Sequence, residues 1–302
     1  MAKRPKPVHQ MTVAQFEAMF PDEDRCISYL IARRWPEGVH CPRCGNVKVY
    51  ALASGHHWQC TACAPGGSQG YRFSHIAGTI FENTNKPLRE WFRVVHFMLT
   101  SKKGMSSLQI QHLMGFGSYE TALNMTHKIR AALMEPETKL GGIVEVDETF
   151  IGGKAKNRHI GKRGLGGATG GAGNAIVAGA VKRKGNVIAR VIENVRASTL
   201  EAFVHEAVSN KVSLLCTDQW VGYKHLGKNY PHATVDHNKG QYVVGAVHTQ
   251  TNEGFWSIFK RGIVGSFHKV SAKYLPLYVA EFQFRYNNRF NNDIFGTAIS
   301  GC

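Results

Sequence analysis

The stretch Ile143-Val-Glu-Val-Asp-Glu-Thr-Phe-Ile151, closed by Gly152-Gly153, decides how the chain is read. It is rich in β-branched residues and alternates, so it is expected as a strand. A charge in the middle of such a run is costly unless it is paired or bound to a metal. Asp147 occupies that middle position. Glu145 shares its face by the two-residue period of a strand, and Glu148 points the other way. Glu145 is therefore a candidate ligand, a supporting partner of Asp147, or a solvated charge.

Outward from this strand, residues 141–290 read as one mixed α/β domain. Residues 175–181 and 187–192 are β-rich, with Lys184-Gly185-Asn186 as the hairpin turn between them. Residues 198–208 are expected as a helix capped by Ser198, with Glu201 three residues later. Residues 212–217 form a short apolar strand that ends at Asp218, and residues 233–235 are a further candidate strand. Helices are expected over 252–262 and 272–289. Glu253 opens the first of these, and Lys260 lies seven residues on, two turns along the same face. Phe255, Trp256, Phe259, Tyr278, Phe282 and Tyr286 fall at helical spacing and read as core.

Toward the N-terminus, residues 86–137 are helical in pattern: 87–100 opened by Pro87, then 107–114, then 119–134. Gly115-Phe-Gly117 separates the last two, and Ser118 is expected as the N-cap of the second. A short helix, a Gly-containing turn and a longer helix outline a DNA-binding helix-turn-helix, although any three-helix bundle shares the outline. Residues 41–76 carry Cys41-Pro-Arg-Cys44 and Cys60-Thr-Ala-Cys63, two CxxC knuckles. Four thiolates at this spacing fit structural Zn²⁺ in a zinc ribbon, a closed site with no position left for chemistry. Residues 1–40 form an N-terminal helical segment, with helices at 13–19 and 25–34, and residues 291–302 are left as a tail.

The charge balance agrees with a polyanionic partner. Lys and Arg number 37 against 21 Asp and Glu, a formal charge of +16 in 302 residues, which favours DNA, RNA or an anionic surface. A membrane is disfavoured, because no apolar run approaches the roughly 20 residues that span a bilayer. The basic N-terminus is followed by no apolar segment, so no secretory signal is expected. Seven cysteines, four of them in CxxC pairs, suit a reducing compartment, and a cytoplasmic, nucleoid-associated protein is expected. The Gly-rich stretch 161–173 lacks the phosphate-cradling P-loop pattern. With Lys154, Lys156, Arg158, Lys162 and Arg163 beside it, it is either a loop that tracks a DNA backbone or a solvated hairpin loop.

Taken together, four segments resemble the insertion-sequence DDE transposases of the zinc-ribbon (ISXO-like) group. They are residues 144–153, Thr217-Asp218 with Tyr223 five on, residues 253–261, and Phe284-Arg-Tyr-Asn-Asn-Arg289; the Cys41–Cys63 ribbon adds to them. The resemblance spans residues 20–290. It implies a ribonuclease-H-like catalytic domain, preceded by the ribbon and the helical region. It also implies that Asp147, Asp218 and Glu253 hold catalytic Mg²⁺ or Mn²⁺, with Asp147 bridging two ions. Two ions about 3.5–4 Å apart can stabilise both the attacking and the leaving oxygen of a phosphodiester displacement.

The implied activity is cleavage at the terminal inverted repeats of the element and strand transfer into target DNA. The implied partner is double-stranded DNA, bound by a homo-oligomer, with Lys260, Arg261, Lys154 and Arg158 as phosphate contacts. The third ligand varies within the group, so Asn252 stands beside Glu253 as the alternative. Lys260 and Arg261 can also be read as a solvated helix end. A catalytically decayed or co-opted DNA-binding protein of the same fold is the other reading. It is suggested by the short run 290–302 after Arg289, because members of the group usually continue further.

Overall fold

The computed structural model describes residues 11–53, 55–63, 70–136, 138–152, 174–218, 221–235 and 250–302. The chain divides into two units, Met1–Leu133 with Arg289–Cys302, and Met134–Asn288.

In the first unit, α1 (Val13–Met19) is closed at its start by a capping box between Thr12 and Gln15, and α2 (Glu23–Arg34) is capped by Asp22. These side chains satisfy backbone N–H groups that a helix start leaves without partners. A three-stranded antiparallel sheet follows, made of β1 (Val49–Ala51), β2 (His57–Cys60) and β3 (Tyr71–Ser74). Then come α3 (Leu88–Thr100), α4 (Ser107–Met114) and α5 (Tyr119–Ala132). Gly115 ends α4 with φ at +67°, a left-handed conformation that costs glycine no Cβ clash. Ser118 then caps α5 through the amide of Glu120. Ser107 and Thr126 share a buried hydrogen bond of 2.8 Å between α4 and α5.

The second unit is built on a five-stranded mixed sheet in the order β6-β5-β4-β7-β8. Its strands are β4 (Ile143–Ile151), β5 (Ala175–Lys182), β6 (Val187–Ile192), β7 (Leu214–Asp218) and β8 (His232–Val235). β4 pairs antiparallel with β5 and parallel with β7. Such a strand is buried on both faces, and the alternation along β4 sends its residues into two cores. Val144 and Val146 join Leu200, Phe203, Tyr223 and Leu226, under α6 (Ala197–Ala207) and the 3₁₀ helix Val221–Lys228. Ile151 joins Val177, Phe255, Phe259 and Phe282, under α7 (Gln250–Arg261) and α8 (Leu275–Asn287). The edge strand β6 is covered by side chains of α8: Gln283 accepts from Ala189 N at 2.8 Å and Asn287 accepts from Val187 N at 2.7 Å. An exposed edge would otherwise offer these N–H groups to another chain.

Several local readings differ from this structure. Helix α6 begins at Ala197, and Ser198 does not cap it. Asn194 serves the start instead, accepting from Arg196 N and from the Thr199 hydroxyl, because the chain turns into the helix earlier than the Ser-x-x-Glu pattern suggested. Residues 291–302, left as a tail, contain the helix Ile294–Gly301 capped by Asp293. Its Phe295 packs in the first unit against Phe16, Phe20, Tyr29 and Phe92. Eight residues without charge give a weak sequence pattern, and only the aromatic cluster reveals what they pack against.

Candidate active site

Parallel pairing of β4 and β7 runs from Ile143 with Leu214 to Glu145 with Cys216. Asp147 and Asp218 each stand two residues beyond that last pair, so the sheet brings them to the same level at neighbouring strand positions. The carboxyl of Asp147 is pushed up from the usual carboxylate range to about 7. Burial is the main cause, and the negative charges of Glu148 and Asp218 add to it. Glu148 is raised too, chiefly by burial, with a hydrogen bond from Tyr223 opposing the shift. The Tyr223 hydroxyl donates to Glu148 Oε2 at 2.5 Å, and the phenol is itself raised well above its ordinary value by burial and by this carboxylate. Asp147, Glu148, Asp218 and Tyr223 thus form one electrostatically linked group.

Helix α7 is fastened to the sheet beside this group. The Asn252 amide nitrogen donates to Gly179 O at 3.0 Å and to Glu145 O at 3.3 Å. One turn later the Trp256 indole N–H donates to Asp147 Oδ2 at 3.1 Å. Gly179 is the residue paired with Asp147 across β4 and β5. A Cβ there would stand 2.6 Å from Trp256 Cζ2, so only glycine admits the helix this close. From its helical spacing Trp256 reads as core. It is buried, but its nitrogen also serves the site, and no residue spacing announces that second role.

The expected third ligands separate. Asn252 is fully buried, with its amide directed at sheet carbonyls. Glu253 is exposed in the first turn of α7, and Ser257 and Lys260 continue the exposed stripe. Among the described residues, Asp147, Asp218 and Glu253 do not gather their oxygens into a cluster within 4.8 Å. Glu145, the other candidate from the sequence, is fully buried. Its carboxylate accepts from Arg183 Nε, Thr251 N, Thr251 Oγ1 and Asn252 N, so its oxygens are committed within the protein. Lys260 and Arg261 are exposed in the last turn of α7. Lys154 and Arg158 lie outside the described residues.

Cys41, Cys44, Cys60 and Cys63 do gather, with all four sulfurs within 4.8 Å of one another. Cys41 to Cys63 and Cys44 to Cys60 are each 3.7 Å apart between sulfurs. Zn–S bonds of about 2.3 Å in a tetrahedron put sulfurs about 3.8 Å apart, so the set fits zinc. Cys41 and Cys60 belong to a small core with Trp35, Phe73 and Ala77. Among the described residues, no helix is long and apolar enough to cross a membrane.

Both regions of the chain match families of known proteins. Residues 139–287 match the model of the ISXO2-like transposase domain, and residues 21–65 match the transposase zinc-ribbon domain. An uncharacterized protein in transposable element ISH50 of Halobacterium salinarum is 28% identical over 276 residues, covering 88% of this chain and 91% of that protein. A chain in the cryo-EM structure of a simian T-cell lymphotropic virus intasome with the PP2A regulatory subunit B56 gamma matches at 15% identity. It covers 64% of this chain and 65% of that one, with a TM-score of 0.30, a likeness too slight to bear on fold or function. The chain thus carries, in this order, a transposase zinc-ribbon domain and an ISXO2-like transposase domain.

Proposed function

We propose that the protein binds the terminal inverted repeats of an insertion sequence, cleaves phosphodiester bonds there and joins the freed end to target DNA. The observation that carries this reading is the side-by-side placement of Asp147 and Asp218 beyond the paired ends of β4 and β7, within the residues that match a transposase domain. The strand order, antiparallel on one side of β4 and parallel on the other, supports a ribonuclease-H-like description of the sheet.

The donor set fits a hard divalent cation. Carboxylate oxygens are the ligands Mg²⁺ and Mn²⁺ prefer, and the proton affinity of Asp147, raised mainly by burial and further by the charges of Glu148 and Asp218, is a cost that a bound cation would offset. Asp147 and Asp218 would hold it from the strands, with Glu253 added from the exposed face of α7. We favour Glu253 over Asn252 because Asn252 is buried against the sheet. Bound there, Mg²⁺ or Mn²⁺ supplies stabilisation of the attacking and leaving oxygens of an in-line displacement. The Trp256 N–H orients Asp147. Lys260 and Arg261 would take phosphates of the duplex, and Lys154 and Arg158 are proposed to do the same. The four cysteines would hold a structural zinc, and the ribbon with helices α3–α5 would contact double-stranded DNA. Pairing two element ends asks for at least two subunits, so a homo-oligomer on DNA is part of the proposal.

The test uses the purified full chain with Mg²⁺ or Mn²⁺ and a duplex carrying the sequence that flanks the gene. Nicking that leaves a free 3′-OH is expected, and Asp147→Ala should abolish it while keeping the gel shift of the duplex. Undiminished nicking by Asp147→Ala would remove this site from consideration. Binding without cleavage by the wild type, with either metal, would favour a decayed DNA-binding protein.

A further inference from the structure

We propose that Glu145, paired with Arg183, is a positioning residue that docks the first turn of α7 onto β4 and so sets where Glu253 and Trp256 stand relative to Asp147. This rests on the proposed function of the site and extends it to a residue outside the metal-holding set.

The first amides of a helix have no partner within it. Thr251 and Asn252 are the second and third residues of α7, and their N–H groups donate to the same oxygen, Glu145 Oε2, at 2.9 and 3.3 Å. The other oxygen accepts from the Thr251 hydroxyl at 3.0 Å and from Arg183 Nε at 2.7 Å. A strand carboxylate thus serves as the cap of a helix about a hundred residues later, where the helix dipole also favours negative charge. Burying a carboxylate is costly unless it is paired and fully hydrogen-bonded, and here Arg183 Nε, the Thr251 hydroxyl and the Thr251 and Asn252 amides converge on it. Arg183 follows β5 directly, and its own amide donates to Ile143 O at 3.0 Å. The pair therefore ties the start of β4, the end of β5 and the start of α7 together.

Glu145 and Asp147 lie on one face of β4, two residues apart. The helix that Glu145 receives touches Asp147 one turn further on, through Trp256. Between those two attachments lies Glu253. A shift of the helix start therefore moves Glu253 and the Trp256 N–H against Asp147, and misplacement by about 1 Å can cost about a hundredfold in rate. A solvated charge would show none of these contacts, and a metal ligand would need free oxygens.

The experiment uses the zinc-loaded full chain and three variants: Glu145→Gln, Thr251→Val and Thr251→Ser. With Mn²⁺ and the flanking-sequence duplex, Glu145→Gln should lower kcat at least about tenfold and leave KM for the duplex unchanged. Amide hydrogen exchange over residues 250–256 should quicken. Thr251→Val should lower kcat by a smaller factor, and Thr251→Ser, which keeps the hydroxyl donor, should restore it. Faster exchange with unchanged kcat in Glu145→Gln would reduce the residue to a structural role and overturn the proposal, as would unchanged exchange. Should Glu145→Gln fail to fold, the Thr251 pair decides: wild-type kcat in Thr251→Val overturns it. Should the wild type not nick, the functional reading fails by itself. Mn²⁺ titration of the DNA-free protein then judges the positioning, with weaker binding by Glu145→Gln supporting it and equal binding overturning it.

Discussion

Trp256 donates its indole N–H to Asp147 Oδ2 at 3.1 Å, joining a core side chain of α7 to the central carboxylate of β4. Trp256→Phe removes this donor and leaves most of the ring. A hydrogen bond to a charged group is worth about 1.5–3 kcal/mol, so the variant should unfold at lower urea concentration. The bond also favours the ionised carboxylate, and its loss should move the acidic limb of the nicking pH profile upward. An unchanged profile would show that the indole does not tune Asp147.

Asp147 itself makes the metal-free protein sensitive to pH. Its carboxyl is near the ordinary value of 3.8 in the unfolded chain and about 7 in the folded one. The folded state therefore holds the proton more tightly. The contribution of this group to stability is full below about pH 4, falls as pH rises toward 7 and levels above it. Glu148 adds a slope of the same sign. Asp147→Asn should lessen the fall, read as the thermal midpoint between pH 4 and 8 in magnesium-free buffer that retains zinc. Mn²⁺ affinity should rise with pH up to about 7 and then flatten, because a cation must displace the same proton.

Gly179→Ala places a methyl where Trp256 stands. Overpacking of this kind costs about 1–3 kcal/mol. Trp256→Leu alone should also destabilise the protein, yet the double variant should be more stable than the sum of the two losses predicts. Additive losses in a denaturant series would mean that the two residues do not meet as described.

Zinc removal should act on a different part of the chain. Trp35 and Trp58 lie 5.4 Å apart between ring centroids, in the small core that contains Cys41 and Cys60. Cys60→Ser should lose the metal and red-shift tryptophan fluorescence. Metal analysis should find one zinc per wild-type chain, and full zinc retention by Cys60→Ser would contradict the four-cysteine site. The Mn²⁺ titration of the other unit gives an independent control.

Phe295→Ala tests the C-terminal helix. Deleting a buried phenylalanine side chain costs about 3–5 kcal/mol, and Phe295 meets four aromatic rings of the first unit. Denaturation monitored by circular dichroism should show that loss. A change below about 0.5 kcal/mol would fit a surface position and would mean the helix is not part of that core.

Local chemistry alone made much of this chain legible. The alternation of residues 143–151, the Ser118 cap and the paired CxxC knuckles depend on neighbours within a few residues, and each appears in the structure where its pattern placed it. The same alternation put Glu145 on the face of Asp147 and left open whether it bound metal, supported Asp147 or faced water. Tertiary structure decided that, by bringing Arg183 and the start of α7 to its oxygens. It likewise turned Trp256 from a core residue into a partner of Asp147, made Gly179 indispensable and gave residues 294–301 a core to pack in. Each of these contacts joins positions dozens to hundreds of residues apart. Such approaches are set by the packing of whole helices on whole sheets, and residue spacing along a single chain carries no trace of them.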